Sequence, residues 1–201
     1  MAASPPVILT AAPLVLRDGL GHYRRRDYDE LPDRAACELL LGRLYARAQP
    51  SITHQIVLEC AWRQLRAVAA ATGGRTYRGP VDLALAEHSV VKPDLFYLSQ
   101  GQRDLLVDHQ EGAPDLIVEV LSPETARQDR REKLALYAAC GVKEYWLIDP
   151  EVWLIDLLVN EAGRFVVTLP SAGSHQSPAI AGGTLDVAAF WRDVEADWPR
   201  P

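Results

Sequence analysis

Four charged residues stand in apolar stretches of this chain, where packing alone would not put them. An ionised carboxylate in such a place costs several kcal/mol of desolvation unless a cation pairs with it. A set of such residues therefore indicates a site that brings carboxylates and a cation together for chemistry. The set is Glu38 in CELLLG, Asp94 in VKPDLFYL, Glu119 in LIVEVL and Lys133 in REKLALY.

Carboxylates at neighbouring strand ends, with a lysine nearby, are suited to the hydrolysis of a phosphodiester bond. That reaction needs a hard cation that neutralises the phosphate and activates water, and Mg²⁺ takes few protein oxygens while it keeps several waters. Asp94 and Glu119 are candidate ligands, and a bound cation would offset the cost of burying them. Lys133 can orient or deprotonate the attacking water, or stabilise the charge that develops.

Each of the four residues also has a purely structural interpretation. Glu119 can be a hydrogen-bonded carboxylate of the core, and Asp94 can cap the start of a strand. Glu38 can face solvent from its strand, and Lys133 can belong to a solvated helix face. The sequence alone leaves these alternatives open.

Three further residues bear on the site. Asp129 and Tyr137 form an i, i+4 stripe with Lys133 that can face the carboxylates. Asp115 is a rival metal ligand, since it shares a face with Glu119 at a period of two. A role for Asp115 at the entrance of the strand is favoured.

A long helix is predicted over residues 51–74. Its apolar positions recur three to four apart, Ser51 or Thr53 can serve as N-cap, and two glycines end it. The polar residues His54 and Gln55 open this helix. We expect them to contact the substrate or the rim of the site.

The other predicted elements surround a strand at 114–122 that is apolar on both faces and therefore covered on both sides. They are a short helix at 27–34, a strand pair at 37–48 that turns at Gly42, strands at 75–79, 81–87, 89–99 and 143–149, a polar connection at 100–113, a helix at 123–141, a hairpin at 151–170 that turns at 160–163, a loop at 171–184 and a closing helix at 185–196.

This order of elements predicts an α/β (α+β) fold with a mixed sheet flanked by helices. The length of 201 residues, with 48% hydrophobic and 24% charged residues, is typical of one globular domain. We assign that domain to residues 26–196 and an irregular arm to residues 1–25. Prolines interrupt the apolar N-terminus and no basic residue precedes it, so we expect an arm and not a signal peptide.

Charge and cysteine content limit the functional classes. The net charge of −6 argues mildly against a dedicated nucleic-acid-binding protein, which is usually basic. It leaves room for an enzyme that holds its substrate through a metal and a local basic patch. No apolar run approaches the ~20 residues that span a bilayer, so no membrane contact is expected. Cys37, Cys60 and Cys140 form neither a zinc spacing nor a disulfide framework, and a cytoplasmic location is expected.

The PD pair at Asp94, followed 25 positions later by Glu119 in EVL, resembles the core of the PD-(D/E)XK nucleases, the restriction-endonuclease-like superfamily. Roughly residues 27–190 resemble one bacterial branch, the Uma-type family of restriction endonucleases, and the block at 113–151 is the most specific part. The segments that carry the likeness are CELLLG, SITHQ, VVKPDLFYL, GAPDLIVEVLSPET and DRREKLALYAACGVKEYWLIDPE.

The resemblance implies a mixed central sheet with an added C-terminal antiparallel hairpin. It also implies cleavage of DNA with Mg²⁺, with Mn²⁺ as an alternative cation. Asp94 and Glu119 would hold the metal, and Glu38 would be a helper carboxylate. Leu121 stands where a lysine is expected two residues after Glu119. Lys133 on the following helix replaces it, provided that this helix packs back toward the strand end.

Two further hypotheses remain open. The chain departs from the family at Leu41, where an acidic residue is usual, and at Cys37, where an aromatic one is. These changes and the negative charge favour a catalytically inactive nucleic-acid-binding or regulatory module on the same fold. Separately, apolar residues on both faces of 153–159, in a hairpin that looks peripheral, predict a homodimer contact.

Overall fold

The computed structural model describes residues 20–105 and 110–198, and the side chains of all of these except 103–105. The helices are α1 (Arg25–Asp29), α2 (Ile52–Ala71), α3 (126–139) and α4 (Val187–Asp197). The α3 helix has three consecutive parts: α-helical Ala126–Gln128, π-helical Asp129–Lys133 and α-helical Leu134–Ala139. The strands are β1 (Cys37–Leu40), β2 (Arg43–Ala46), β3 (Arg75–Arg78), β4 (Leu83–Ala86), β5 (Ser89–Val91), β6 (Leu95–Leu98), β7 (Gln110–Glu111), β8 (Leu116–Val120), β9 (Glu144–Asp149), β10 (Leu154–Glu161), β11 (Arg164–Thr168), β12 (Ser174–Gln176) and β13 (Thr184–Asp186).

Two sheets form the body of the protein. The larger has six strands in the order β11-β10-β9-β8-β6-β3, in which β8 and β9 are parallel and the other pairs antiparallel. The smaller has five strands in the order β2-β1-β5-β4-β7, and β12 pairs with β13. The predicted mixed central sheet flanked by helices is therefore confirmed. The predicted C-terminal hairpin is β10–β11, which extends the larger sheet at one edge.

Both faces of the six-stranded sheet are covered, as the apolar strand at 114–122 predicts. Val118 and Val120 of β8 pack on one face in a cluster with residues of α2 and α4. Ile117 and Leu121 pack on the other face with residues of α3 and of the five-stranded sheet. Side chains alternate along a strand, so Glu119 faces this second layer, between the two sheets.

The prediction of a single strand at 89–99 is wrong. The chain forms β5 in the five-stranded sheet, leaves it at Lys92–Asp94 and then forms β6 in the six-stranded sheet. Pro93 lacks a backbone N–H and cannot continue a ladder of strand hydrogen bonds, which gives a physical reason for the break. Asp94 consequently lies where the chain crosses between the sheets.

Two local predictions are confirmed. The strands β1 and β2 pair through a tight turn in which Leu41 and Gly42 have φ of 52° and 76°. Gly42 also packs directly on Gly21, where an added Cβ would lie 2.0 Å from the Gly42 carbonyl oxygen. The long helix begins at the predicted N-cap, because the Ser51 side chain accepts a hydrogen bond from the His54 backbone N–H.

Two segments predicted to lack regular structure contain short strands. The polar connection at 100–113 includes β7, and the loop at 171–184 includes β12. The second segment contacts Glu144 of β9, which is fully buried. Glu144 accepts a hydrogen bond from the Ser177 hydroxyl and pairs with His175 Nε2 at 2.5 Å. A buried carboxylate needs such partners, and these partners fix the segment against the sheet.

The apolar strand at 153–159 is covered within the chain. Ile155 and Leu157 pack in the cluster with α2 and α4, and Leu158 packs on the opposite face. The Trp153 ring lies 5.1 Å from that of Trp191 in α4. The observation that motivated a homodimer therefore has an explanation inside one chain. Most of the predicted arm lies outside the described residues.

Candidate active site

Lys133 is the centre of a buried charged cluster. It lies in the π-helical part of α3 and is 5% exposed. Its Nζ is 2.9 Å from Glu119 Oε1, 3.2 Å from Asp129 Oδ1 and 3.3 Å from Glu38 Oε2. The contact with Glu119 is a hydrogen bond, and those with Asp129 and Glu38 are ion pairs. The helix does pack back toward the end of β8, as required if Lys133 is to replace the lysine missing at Leu121.

Glu119 accepts hydrogen bonds on both carboxylate oxygens. Its Oε1 accepts from Lys133 and, at 3.0 Å, from the Tyr137 hydroxyl, and its Oε2 accepts from the Asp94 backbone N–H at 3.3 Å. Burial raises the pKa of Glu119 well above its ordinary value, although the Lys133 cation opposes that rise. The neighbouring Asp129 carboxylate raises the pKa further. The ionised form of Glu119 is therefore costly without further positive charge.

Asp94 sits against the end of β8 and the start of α2. Its Oδ2 accepts a hydrogen bond from the Val120 backbone N–H at 2.8 Å, and its Oδ1 lies 3.3 Å from His54 Nε2. Together with the bond from the Asp94 N–H to Glu119, this places the two carboxylates side by side across β6 and β8. The metal-binding role predicted for Asp94 and Glu119 stays a prediction.

A glycine holds the crossing segment in place. The Gly79 N–H donates to the Asp94 carbonyl oxygen at 2.9 Å. A Cβ at Gly79 would lie 2.4 Å from the Pro93 carbonyl oxygen, which is closer than atoms approach. The backbones of 79 and 93 can therefore meet only because residue 79 is glycine.

Glu38 reaches the cluster from β1. Its Oε1 accepts a hydrogen bond from the Lys92 backbone N–H at 2.5 Å, while its Oε2 faces Lys133. The Lys92 side chain turns the other way, to Asp82 Oδ1 at 2.7 Å and to the Tyr28 hydroxyl. Lys92 thus ties α1 and β1 together and presents only its backbone to the site.

The cluster carries excess negative charge. Four carboxylates against one ammonium leave a formal charge of −3 when all are ionised; the carboxylates are those of Glu38, Asp94, Glu119 and Asp129. Burial raises the pKa of Asp129, although Lys133 lowers it. Burial lowers the pKa of Lys133, but the surrounding carboxylates outweigh that effect and hold it well above its ordinary value. Lys133 is therefore a cation at neutral pH.

The cluster opens into a cleft of about 830 Å³. Residues 46–51 and 53–55, from the end of β2 to the first turn of α2, line it, as do residues 121–125 after β8. His54 and Gln55, the predicted substrate contacts, both line this cleft. His54 is engaged with Asp94, whereas Gln55 is exposed.

Comparison with known proteins identifies the family. The family model "Uma2: Putative restriction endonuclease" matches residues 25–190. The chain belongs to this family. No curated protein gives a significant match. No helix within residues 20–105 and 110–198 has the length and apolarity to cross a membrane.

A solved structure shares the fold of this Uma2-family chain. It is described as "a putative nuclease belonging to DUF820" from Anabaena variabilis, and it matches with a TM-score of 0.70 and 16% identity. The match covers 84% of this chain and 97% of the other. At that identity the likeness shows the fold, and the predicted restriction-endonuclease-like architecture agrees with it.

The donor set fits a hard divalent cation. No group of three or more His, Cys, Asp and Glu side chains in the described part of this Uma2-family chain is arranged to hold a metal by itself. Mg²⁺, however, is usually held by one or two carboxylates together with waters and substrate phosphates. Asp94 and Glu119 are such a pair, and the negative excess around them is what a divalent cation offsets.

The structure places all of the residues predicted for the site in the cluster or on the lining of its cleft, and adds Lys92, which the sequence did not indicate. Asp129 and Tyr137, which the i, i+4 stripe indicated as residues that can face the carboxylates, contact Lys133 and Glu119. Lys92 gave no signal, because its role depends on a distant tyrosine. Asp115 is at the other end of β8, where its Oδ1 pairs with Lys143 at 2.6 Å, and does not join the cluster.

Proposed function

We propose that this chain is a metal-dependent nuclease that hydrolyses DNA phosphodiester bonds in the cleft, with Mg²⁺ as its cation and Mn²⁺ as an alternative. One observation carries the proposal: Lys133 lies 2.9 Å from Glu119 and 3.3 Å from Glu38, and Glu119 in turn accepts a hydrogen bond from the Asp94 backbone N–H, although these residues come from separate segments of the chain. Membership in a family described as restriction endonucleases supports a nucleic acid as substrate.

Asp94 and Glu119 would hold the cation. When bound, it supplies a Lewis acid for the phosphate and lowers the pKa of a bound water. Each carboxylate oxygen has about two lone pairs. Glu119 Oε1 uses both on Lys133 and Tyr137, whereas Glu119 Oε2 accepts only the Asp94 N–H and Asp94 Oδ2 only the Val120 N–H, so these two oxygens keep capacity for a ligand bond. In the hydrolysis, the water oxygen forms a bond to phosphorus, the ester P–O bond breaks, and the leaving oxygen takes up a proton.

Lys133 acts in this proposal as a fixed positive charge. Its raised pKa keeps the ammonium protonated, which argues against the deprotonation of water by this residue. A preorganised cation next to the phosphate stabilises the charge that develops in the transition state. Glu38 and Asp129 hold the ammonium in position through ion pairs of 3.3 and 3.2 Å.

His54 and Gln55 would contact the substrate. Both line the cleft, and the exposed side chain of Gln55 is available to a nucleotide. His54 also orients Asp94 through the contact at 3.3 Å. These residues belong to the first turn of α2, so they would sit on a rigid element.

Cleavage of supercoiled plasmid and of single-stranded DNA, with Mg²⁺ or Mn²⁺, tests the proposal. We expect cleavage that needs the metal and falls by about 100-fold or more in Asp94→Ala and Glu119→Gln, as for the loss of a group that stabilises charge. Asp115→Asn is the matched control and should cleave. Absence of cleavage by the wild type, or undiminished cleavage by Asp94→Ala, would overturn it.

The alternative is a catalytically inactive nucleic-acid-binding or regulatory module. The departures at Leu41 and Cys37 favour it. Calorimetric titration with Mg²⁺ or Mn²⁺ separates the two functions: the nuclease requires binding heat that disappears in Glu119→Gln, and the inactive module requires none.

We further propose that the protein acts in the cytoplasm and forms a homodimer. The three cysteines are free, which suits a reducing compartment.

At the hairpin edge, Leu154, Val166 and Val167 are 48%, 43% and 57% exposed, and a second copy could cover them. Light scattering should give twice the chain mass, and a monomer at high micromolar concentration would refute the dimer.

A further inference from the structure

The positive groups around the cleft are mostly engaged with protein partners. Lys133 faces three carboxylates, and the Lys92 side chain is directed toward Asp82. Arg78 is 2.6 Å from Glu59 Oε2 and lies over the Trp62 ring at 4.4 Å. A polyanionic substrate that enters next to four carboxylates needs positive charge that is not already paired.

Arg47 is the exception in the described part of the cleft. It directly follows β2, is half-buried, and its backbone N–H donates to the Ala36 carbonyl oxygen at 2.9 Å, beside the strand that carries Glu38. Its guanidinium has no hydrogen bond or ion pair with any described residue. A partly desolvated cation without a partner is poised for an external anion.

Gln128 supplies a second unused donor. It directly precedes Asp129 in α3 and also lines the cleft. Its Nε2 is buried and has no hydrogen-bond partner among the described residues. A buried amide donor left unpaired is unfavourable, and a ligand oxygen would remove that penalty.

We propose that Arg47, after β2, and Gln128, in α3, bind phosphate oxygens of the nucleic-acid backbone in the cleft that both residues line. The inference rests on the proposed nuclease function. Arg47 offers a planar fork that matches two phosphate oxygens, and Gln128 offers one neutral N–H donor. Neither residue belongs to the proposed metal site, so both act on binding and register.

The test is fluorescence anisotropy of the full chain with labelled oligonucleotides in EDTA, over a series of salt concentrations. Without metal, cleavage does not interfere. We expect Arg47→Ala to raise Kd about tenfold and to reduce the slope of log K against log salt by about 0.7–0.9, which is one phosphate contact. Gln128→Ala should weaken binding about threefold at an unchanged slope, because the amide carries no charge.

Arg131→Ala is the matched control, since it removes an exposed arginine of α3 that does not line the cleft. Arg131→Ala should change the Kd for the oligonucleotides, and the slope of log K against log salt, less than Arg47→Ala does. If Arg47→Ala fails to fold, as judged by circular dichroism, Arg47→Gln replaces it. Duplex DNA, single-stranded DNA and RNA are compared, because they share the backbone chemistry that is proposed to bind.

The outcomes separate this inference from the function on which it rests. A wild type that binds but does not cleave with Mg²⁺, and whose binding depends on Arg47, supports the inference and overturns the nuclease. A wild type that cleaves, with Arg47→Ala binding as tightly as wild type, overturns the inference and leaves the nuclease standing. Absence of binding to all three oligonucleotides overturns the inference.

Discussion

Lys133 binds together side chains that belong to three separate elements. It is buried, and its ammonium lies within 3.3 Å of carboxylates from β1, β8 and α3. Removal of one member of a buried ion pair is far more costly than the pair is stabilising, because the remaining charge is left uncompensated. The residue is thus both a structural clamp and the fixed cation of the proposed active site.

Lys133→Met should abolish nuclease activity and destabilise the fold. We expect a loss of rate of about 10²–10⁴ and a loss of about 3–5 kcal/mol in the free energy of unfolding, measured by plasmid cleavage and urea denaturation. Lys143→Met is the matched control, because Lys143 pairs with Asp115 while 59% of its side chain is exposed. It should lose about 1 kcal/mol or less and remain active. Equal losses in both variants would contradict this role of Lys133.

The raised pKa of Glu119 gives stability a dependence on pH. The folded pKa lies above the unfolded one, so the folded state binds the proton more tightly. The stabilisation that the Glu119 carboxyl group contributes is fully present below the unfolded pKa and is lost as pH rises through the folded pKa. Each unit of pKa difference corresponds to about 1.4 kcal/mol.

Glu119→Gln removes this titration while it preserves shape. Urea denaturation of wild type and variant, from pH 4.5 upward, measures the effect. The variant should gain stability relative to wild type as pH rises, because only the wild type must bury the ionised carboxylate. A stability difference that is independent of pH would show that Glu119 titrates normally.

The elements place these residues through close backbone approaches. The strand β3 ends at Arg78, and Gly79 then packs against the Pro93–Asp94 segment. The N–H of Gly79 donates to the Asp94 carbonyl oxygen. The position of Asp94 therefore depends on a residue that has no side chain.

Gly79→Ala should displace the crossing segment. The added Cβ would meet the Pro93 carbonyl oxygen at 2.4 Å, so the backbone must shift. We expect a loss of about 1–3 kcal/mol in the free energy of unfolding, as for overpacking, together with weaker metal binding. In the control Gly101→Ala, the Cβ meets nothing within 4 Å, and stability should stay within about 0.5 kcal/mol. Weak metal binding in the control would contradict the argument.

Elements specified by local interactions were predictable from the sequence, and those specified by distant partners were not. The α2 helix follows from its own cap and periodicity, and the β1–β2 turn from its glycine. The separation of β5 from β6 depends on the sheet that each strand joins. The pattern of apolar residues in the sequence does not encode that choice. The set Glu38, Asp94, Glu119 and Lys133 was predictable because charges in apolar stretches are conspicuous.

The whole molecule encloses this charge between two sheets. The six-stranded sheet carries Glu119 on the face that α3 and the five-stranded sheet cover, and β1 of the smaller sheet supplies Glu38. The buried cluster therefore lies where these layers meet, and it opens into the cleft. Electrostatic repulsion among its carboxylates acts against the packing of these layers.

A divalent cation should consequently stabilise the entire fold. At a Mg²⁺ concentration ten times its Kd, mass action adds about 1.4 kcal/mol, which corresponds to a rise in Tm of about 3–6 °C for a domain of this size. Thermal unfolding followed by circular dichroism, with and without MgCl₂ at constant ionic strength, measures this shift. The readout is independent of nuclease activity, so it also applies if the protein does not cleave the DNA that is tested.

Asp94→Asn should remove the shift, because it deletes one of the two proposed ligands while the amide retains the shape of the side chain. Asp115→Asn should keep the shift even if its own Tm is lower, since Asp115 is paired with Lys143 at the opposite end of β8. The pair of variants separates the proposed ligand from its rival, because both replace a largely buried aspartate. Loss of the shift in Asp115→Asn but not in Asp94→Asn would move the metal to the other end of the strand.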